Sequence, residues 1–322
     1  MKKTIQILTL ALLFHAVDAQ HMEEVGKSPW GPSDEVGTLN MTTETSKINI
    51  LSKIKSGKSY DLSVDYFVGM PSFHSLGDPG YQYWLTHTPH GTVVDNPNGL
   101  GATMNKKVSY TGDAISMYTH MGTHIDALNH FGLNGKIWNG FTPEEYLGNK
   151  GWKKTGAETI PPIIARGVMI DVLNFKGPLP PNYRITAKDL QLTLEQQKIK
   201  LEKGDVVFIR TGQARFYEHA NQYLDNYPGI SLDAAKWLAE DQEIMLLGAD
   251  NLRFEAFPPE REDNWVPVHT YLLAERGMMF IEQLYLEDLS KDQVYEFALI
   301  TASLKFKGAS GAPMRPIAIP IK

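Results

Sequence analysis

Three histidines and one aspartate lie within eleven residues, and any fold of this chain has to accommodate them together. They are His120, His124, Asp126 and His130, in a chain with ten histidines and no cysteine. Neutral imidazole nitrogen and carboxylate oxygen are the usual non-thiolate donors for zinc, manganese and similar divalent cations. This density of donors predicts a metal site.

Neither a regular helix nor a regular strand brings these donors to one ion. On a helix, Asp126 would lie about 240° around the axis from His120. In an extended strand, His120 and His124 would be about 13 Å apart at roughly 3.3 Å per residue, although their side chains would share a face. Gly122 has no Cβ and can turn the chain between the two histidines at little steric cost. We therefore expect a bend at Gly122 followed by a strand, which the β-branched residues after the glycine favour.

The alternative is a histidine cluster without a metal, with rings that lie on the surface or are hydrogen-bonded in the core. Burying Asp126 among imidazoles without a cation would cost free energy. The metal site is therefore the preferred interpretation.

The first nineteen residues have the features of a secretory signal peptide. Two lysines precede an apolar run from Ile5 to Val17, and the small residue Ala19 precedes the expected cleavage site before Gln20. We expect removal of residues 1–19 and a periplasmic or secreted protein. The run is too short for a membrane span of about 20 residues, so no membrane anchor is expected.

Composition limits the classes of partner and chemistry. The formal net charge is −6, which makes nucleic acid an unexpected partner. The lack of cysteine excludes disulfides, thiolate ligands and cysteine nucleophiles. The hydrophobic content of 42% can form a sizeable core, and the proline- and glycine-rich segments are too short to be linkers. We expect one domain over residues 20–322.

Strand-like and helical segments alternate along the chain. The runs that favour buried strands are 60–64, 167–172, 205–210 and 244–248. Helices are expected at 186–197 and 231–240, with Thr186 and Ser231 as their N-caps. This alternation indicates an α/β domain.

A segment near the C-terminus offers two more donors. Pro267 suits the first turn of a helix and Gly277 its exit, so His269 would lie in the first turn. The apolar run that follows predicts a short strand with Glu282 at its end. The residues alone leave open whether His269 and Glu282 bind a metal, because a helix-start histidine and a solvated glutamate are also common.

The pattern HxGTHxDxxxH, from His120 to His130, resembles the signature of the metal-dependent cyclase/hydrolase family that includes bacterial kynurenine formamidase and isatin hydrolase. Further matching segments occur in order over most of the chain: 61–63, 69–71, 210–212, 248–250, 269–282 and 311–318. Residues 30–40 resemble a longer branch of that family.

The resemblance implies a single α/β domain of swivelling β/β/α type around a central mixed sheet. It implies that His120, His124 and Asp126 bind a divalent metal and that His130 is the catalytic acid/base. His269 and Glu282 would complete the site, where the counterpart of Asp126 can bridge two ions. We therefore expect one or two zinc or manganese ions per chain.

The implied enzyme hydrolyses a carbon–nitrogen amide bond other than a peptide bond. Its substrate would be a small aromatic or cyclic molecule, either an N-formyl aryl amide or a lactam, and the chain would form a homodimer or higher oligomer. A metal-bound water of pKa about 7 would supply the nucleophile, and His130 would move its proton. Two alternatives stay open: a cyclase or dehydratase on the same scaffold, and a secreted metal- or ligand-binding protein without turnover.

Several other side chains are candidates for the surroundings of the site. The aromatic residues that could line an apolar pocket are Trp30, Phe73, Tyr81, Tyr83 and Trp84. His87 and His90 could lie on a loop over the site. Arg315 could bind a substrate carboxylate or form a structural ion pair.

Overall fold

A nine-stranded sheet forms the centre of the protein. The computed structural model describes residues 24–321, so the predicted signal peptide at 1–19 lies outside the described residues. The strands are β1 (Tyr60–Asp61), β2 (Gln82–His87), β3 (Gly112–Ser116), β4 (His124–Asp126), β5 (Leu147–Gly148), β6 (Gly151–Trp152), β7 (Ile163–Asp171), β8 (Arg184–Ile185), β9 (Val206–Arg210), β10 (Gly229–Ile230), β11 (Leu246–Ala249), β12 (Phe280–Glu282), β13 (Glu296–Thr301), β14 (Gly311–Pro313) and β15 (Ile317–Pro320).

Short helices connect and cover these strands. The α-helices are α1 (Glu44–Ser52), α2 (Thr92–Asp95), α3 (Gly101–Asn105), α4 (Pro143–Tyr146), α5 (Val172–Lys176), α6 (Ala187–Gln197), α7 (Ala220–Leu224), α8 (Leu232–Lys236), α9 (Pro267–His269) and α10 (Glu287–Lys291). Two π-helical segments, Trp237–Asp241 and Thr270–Glu275, continue α8 and α9. The 3₁₀ turns are Gly37–Met41, His74–Leu76, Pro89–Gly91, Pro97–Gly99, Trp138–Gly140, Ala157–Thr159 and Gln213–Phe216.

The sheet is mixed, with the strand order β1-β15-β13-β7-β9-β11-β12-β4-β14. The four strands β7, β9, β11 and β12 run parallel, and antiparallel strands flank them on both sides. Parallel neighbours need crossover connections, and helices provide them here. The predicted α/β fold with a central mixed sheet is confirmed.

The core lies on the parallel strands, where every residue of β9 and β11 is buried. The predicted caps are present, since the side chains of Thr186 and Ser231 accept hydrogen bonds from backbone N–H groups of α6 and α8. Some predicted bounds were wrong. The strand predicted at 60–64 ends at Asp61, and β7 starts four residues earlier than predicted because Ile163 to Val168 pair with β13.

The register of the sheet places the functional residues. β4 lies between β12 and β14, so that His124 is opposite Glu282 and Asp126 is opposite both Phe280 and Gly311. Residues that are more than 150 positions apart therefore meet on one part of the sheet.

A two-stranded hairpin of β2 and β3 stands apart from the main sheet. Tyr83, Trp84 and Leu85 on β2 are exposed. None of the helices within residues 24–321 is both long and apolar enough to span a membrane.

Candidate metal centre

A tight turn at Gly122 brings His120 back toward β4. Gly122 has a φ of +61°, which favours glycine, and a Cβ at this position would collide with the ring of Tyr66. The Tyr66 hydroxyl donates to the carbonyls of Met121 and Thr123 at 2.9 and 3.1 Å, which holds both sides of the turn. The predicted bend at Gly122 is confirmed.

His124 presents one ring nitrogen to the site. Its Nδ1–H donates to the carbonyl of Gly122 at 2.8 Å, so Nε2 is the nitrogen that faces inward. Nε2 is buried without a hydrogen-bond partner among the described residues, and it lies 3.3 Å from Asp126 Oδ1 and 3.5 Å from Glu282 Oε2. A nitrogen between two buried carboxylates needs a positive charge there, from either a proton or a cation.

Asp126 is at the centre of the cluster. Its Oδ1 accepts from His120 Nδ1 at 2.7 Å, and its Oδ2 lies 3.6 Å from His130 Nε2. The other nitrogen of His120 is 2.9 Å from the hydroxyl of Ser310. Binding of a metal by His120 would replace the proton shared with Asp126, while Ser310 can accept the remaining N–H. The His120 ring fits because Gly311 has no Cβ, which would otherwise lie 2.5 Å from it.

His269 and Glu282 form the second half of the site. His269 is the third and last residue of α9 and so lies in the first helical turn, as predicted, and its Nε2 is 3.7 Å from Glu282 Oε1. That Glu282 oxygen is buried and has no hydrogen-bond partner in the described part of the chain. The structure therefore brings together all five predicted ligands.

Glu255 is a site residue that the sequence analysis missed. Its Oε1 accepts from His269 Nδ1 at 2.6 Å and from the His269 backbone N–H at 3.0 Å, while its Oε2 accepts from Val268 N–H at 3.1 Å. The carboxylate thus turns His269 Nε2 toward Glu282. No spacing signal marked Glu255, which lies in an irregular segment fourteen residues before His269.

His130 lies at the edge of the cluster. Its ring stacks on His120, with 3.9 Å between ring centroids, and its side chain keeps 18% of its surface exposed. Burial is the largest cause that lowers the pKa of His130 well below its usual range, and repulsion from His120 is the second. The imidazole is therefore neutral near pH 7 and can accept a proton.

The electrostatics of the cluster indicate a place for positive charge. Burial would raise the pKa of Asp126, but His130 and His120 hold it well below its usual value, so this carboxylate is ionised. Burial and then the charge of Asp126 raise the pKa of Glu282 to about 7. Two buried carboxylates side by side repel each other, and a shared cation relieves that repulsion.

The donors present fit a divalent metal. Within His120, His124 and Asp126, and within Asp126, His269 and Glu282, one ligand atom per residue lies within 4.8 Å of the others. Asp126 belongs to both groups. Buried imidazole and carboxylate donors with unpartnered atoms at His124 and Glu282 match the preferences of zinc and manganese. Which of these residues bind an ion stays a prediction.

A pocket of about 90 Å³ opens beside the cluster. Its lining includes His120, His130, His269 and Glu282, together with Phe73, Leu76, Asp78, Tyr118, Phe131, Leu252, Arg253, Trp265 and Val266. About 10–15 Å³ of such volume holds one water, so the pocket has room for a small molecule.

Most of the candidates for the surroundings of the site lie outside the pocket, in agreement with the structural alternatives. Of the five aromatic candidates, Phe73 alone lines the pocket; Trp30, Tyr83 and Trp84 are exposed, and Tyr81 packs on Tyr66. His87 is the last residue of β2 and His90 lies in the 3₁₀ turn that follows this strand, and neither lines the pocket. Arg315 forms an exposed ion pair with Asp61 at 2.6 Å, which is the structural alternative.

Comparisons with known proteins agree with the motif. The family model described as "Putative cyclase" matches residues 60–256, a range that contains His120 to His130 and Glu255 but ends before His269. Kynurenine formamidase from Bacillus anthracis is 27% identical over 207 residues, which cover 64% of this chain and 79% of that protein.

Solved structures extend the likeness to the whole fold. The structure of a protein described as a novel cyclase is 30% identical with a TM-score of 0.80, covering 90% of this chain and 97% of the other. Isatin hydrolase A from Ralstonia solanacearum shares the fold at 20% identity, with a TM-score of 0.59 over 81% of this chain and 91% of that chain. Because the family match spans more than half of the chain, the protein belongs to the "Putative cyclase" family, the metal-dependent cyclase/hydrolase family that its motif resembles.

Proposed function

We propose that the protein is a metal-dependent hydrolase that cleaves a carbon–nitrogen amide bond other than a peptide bond. The position of Asp126 carries this proposal, because its carboxylate belongs to both donor groups and also lies beside His130. Ion donors and a neutral imidazole thus face one small pocket. The likeness to a kynurenine formamidase supports the hydrolase class.

The proposed metal is zinc or manganese, which histidine and carboxylate donors both accept. His120, His124 and Asp126 would hold one ion, and His269 and Glu282 would either complete its shell or hold a second ion with Asp126. Such an ion, when bound, supplies water of lowered pKa and polarises the substrate carbonyl.

His130 is the proposed proton carrier. Its neutral imidazole can accept a proton from the attacking water and return that proton to the leaving nitrogen. The Asp126 carboxylate, 3.6 Å from His130 Nε2, would stabilise the imidazolium between these two steps.

The pocket supports an aromatic or cyclic substrate, such as an N-formyl aryl amide or a lactam. Phe131 packs edge-on against Trp265, with ring centroids 5.7 Å apart, and both rings line the pocket next to His130. Aromatic walls of this kind bind flat apolar molecules and keep water away from the reacting bond.

We also propose that the chain is exported to the periplasm or beyond and that it forms a homodimer or a larger homo-oligomer. The sequence of residues 1–19 supports export. The exposed Tyr83, Trp84 and Leu85 of the hairpin support self-association. Cell fractionation and light scattering would test these two proposals.

Hydrolysis in heavy-oxygen water tests the reaction class. The metal-loaded protein is incubated with a panel of N-formyl aryl amides, lactams and lactones, and products are analysed by mass spectrometry. We expect one solvent oxygen in the new carboxylate. Ring closure or loss of water without that oxygen would contradict hydrolysis and indicate a cyclase or dehydratase, and no turnover over the panel would indicate a binding protein.

His130→Ala tests the proton carrier, with His90→Ala as the control because His90 is exposed and away from the pocket. We expect kcat of His130→Ala to fall by about 10²- to 10⁴-fold while the metal content measured by elemental analysis is unchanged. The His90 variant should retain the activity of the wild type. Full activity in His130→Ala would contradict the assigned role.

A further inference from the structure

The backbone between β11 and Glu255 is strained next to the candidate metal centre. Arg253 and Phe254 have φ values of +79° and +57°, so two consecutive residues with side chains occupy the left-handed region. This conformation costs free energy and persists where the surroundings enforce it, often at ligand sites. Arg253 and Glu282 line the same pocket, so the strained segment lies beside the candidate metal centre.

The same conformation directs the Arg253 side chain toward aromatic rings rather than toward an acid. Its guanidinium carbon lies 4.7 Å from the centre of the Phe73 ring, 4.8 Å from that of Phe257 and 6.0 Å from that of Tyr227. Rings at these distances hold a guanidinium by cation–π attraction and leave its N–H groups free at the edge.

Arg253 differs in this respect from the other arginines of residues 24–321. Six of those form ion pairs with carboxylates, and Arg215 donates to the carbonyl of Gly212 at 2.8 Å. No ion pair or side-chain hydrogen bond of Arg253 is present in the described part of the chain. A half-buried guanidinium whose N–H groups are free in a pocket can donate hydrogen bonds to an acceptor group of a ligand.

Arg253 lines the pocket together with His130 and Phe73. Two acidic residues, Asp78 and Glu282, also line it, but neither forms an ion pair with the Arg253 guanidinium. The pocket therefore offers metal donors and a proton carrier in one part, and a free planar cation beside an aromatic ring in another.

We propose that Arg253 is a specificity-determining residue that binds a carboxylate substituent of the substrate. The inference rests on the proposed amide hydrolysis and names its substrate class, an aromatic or cyclic amide that carries a carboxylate away from the scissile bond. A guanidinium presents parallel N–H groups that match the two oxygens of a carboxylate, and Phe73 supports the guanidinium from the side.

A matched pair of amides tests the proposal in the metal-loaded protein. 4-Formamidobenzoate and formanilide contain the same reacting formamide and differ by one carboxylate on the far side of the ring. We expect the wild type to favour the carboxylate compound by about 10- to 100-fold in kcat/KM, and Arg253→Met to lose this preference while it still hydrolyses formanilide. Arg253→Lys keeps the charge without the planar fork and should retain part of the preference.

Two controls separate recognition from a structural role. Arg315→Met removes an exposed arginine outside the pocket and should leave the preference unchanged. A uniform loss for both amides in Arg253→Met, or a wild type without preference, would overturn the proposal.

Binding of benzoate gives a readout that does not depend on turnover. The Kd of benzoate is measured by calorimetry and compared with that of benzamide. Both ligands are titrated into the metal-loaded and the metal-stripped protein. We expect about 10-fold weaker benzoate binding in Arg253→Met in both forms, with benzamide unaffected. Arginine-dependent binding without amide hydrolysis would support the carboxylate site and contradict the proposed reaction, whereas benzoate binding that is absent or independent of Arg253 would overturn the carboxylate site itself.

Discussion

Glu255 holds His269 through two hydrogen bonds to the same oxygen, one from the ring at 2.6 Å and one from the backbone at 3.0 Å. The ring bond sets which nitrogen faces Glu282, and the backbone bond fixes the start of α9. One carboxylate thus controls both the tautomer and the position of a candidate ligand, as partners of metal-binding histidines commonly do.

Removing this support should weaken the metal site. We expect Glu255→Ala to lower the affinity for zinc or manganese by about 10- to 100-fold, because His269 loses its orientation. Glu255→Gln keeps an acceptor and should have a smaller effect. Metal titration by calorimetry measures both, with the exposed Glu195→Ala on α6 as the control. Equal affinity in all variants would show that His269 does not bind the ion.

The sharing of Asp126 predicts different metal contents for two substitutions. Asp126→Asn removes the carboxylate that both donor groups use, so we expect loss of all bound metal. Glu282→Gln affects the second group alone, so His120 and His124 should still hold one ion with Asp126. Elemental analysis after dialysis counts the ions per chain. If the two variants lose the same amount of metal from a wild type with two ions, the division into two groups is wrong.

Gly122 should be far less tolerant of a side chain than Gly135, another glycine with positive φ. Gly135 has a φ of +75° with open space around it, whereas a Cβ at Gly122 collides with Tyr66. Gly135→Ala should cost about 1 kcal/mol of unfolding free energy from backbone strain alone. Gly122→Ala should cost roughly 1–3 kcal/mol more, because the collision forces the turn to shift. Urea unfolding of the metal-free proteins measures the difference. Similar losses of unfolding free energy in the two variants would mean that the Tyr66 ring moves aside at little cost.

Asp205 should make the metal-free protein less stable as the pH rises. Burial raises the pKa of Asp205 from 3.8 to about 6, despite its ion pair with Arg166 at 2.7 Å. Between about pH 4 and 6 the folded chain keeps this proton while the unfolded chain loses it, so the contribution of Asp205 to the unfolding free energy decreases over that window. The decrease is on the order of 2–3 kcal/mol.

The pH dependence is checked by urea unfolding at pH 4, 5, 6 and 7. Asp205→Asn cannot ionise, so its unfolding free energy should lack this decrease, whereas the exposed Asp95→Asn should follow the wild type. Parallel curves for wild type and Asp205→Asn would contradict the raised pKa.

Local features of the site could be predicted from the sequence, since short-range geometry decides them. The bend at Gly122 and the strand with His124 and Asp126 follow from the lack of a Cβ and from β-branched neighbours. The position of His269 in the first helical turn follows in the same way from Pro267.

Long-range features could not be predicted from the residues alone, and it was the family resemblance that implied that His269 and Glu282 complete the site. Pairing of β4 with β12 places Glu282 opposite His124, and nothing in either segment specifies that partner. Glu255 and Arg253 lie in an irregular segment, where Glu255 contacts His269 and Arg253 packs on Phe73, and no local pattern indicates either partner. The sequence could not single out Phe73 among the aromatic candidates for the same reason, because sequence proximity does not determine which rings border a pocket.

The alignment of β12 with β4 also limits how this part of the chain can change in length. Side chains alternate between the two faces of a strand, so a deletion of one residue between Gly277 and Glu282 that kept the strand pairing would present a neighbouring side chain in place of the carboxylate. Gln283 follows Glu282 and would take that position, and a neutral amide does not supply the negative charge of a carboxylate. Any shortening of the segment before Glu282 should therefore restore a carboxylate at the position opposite His124.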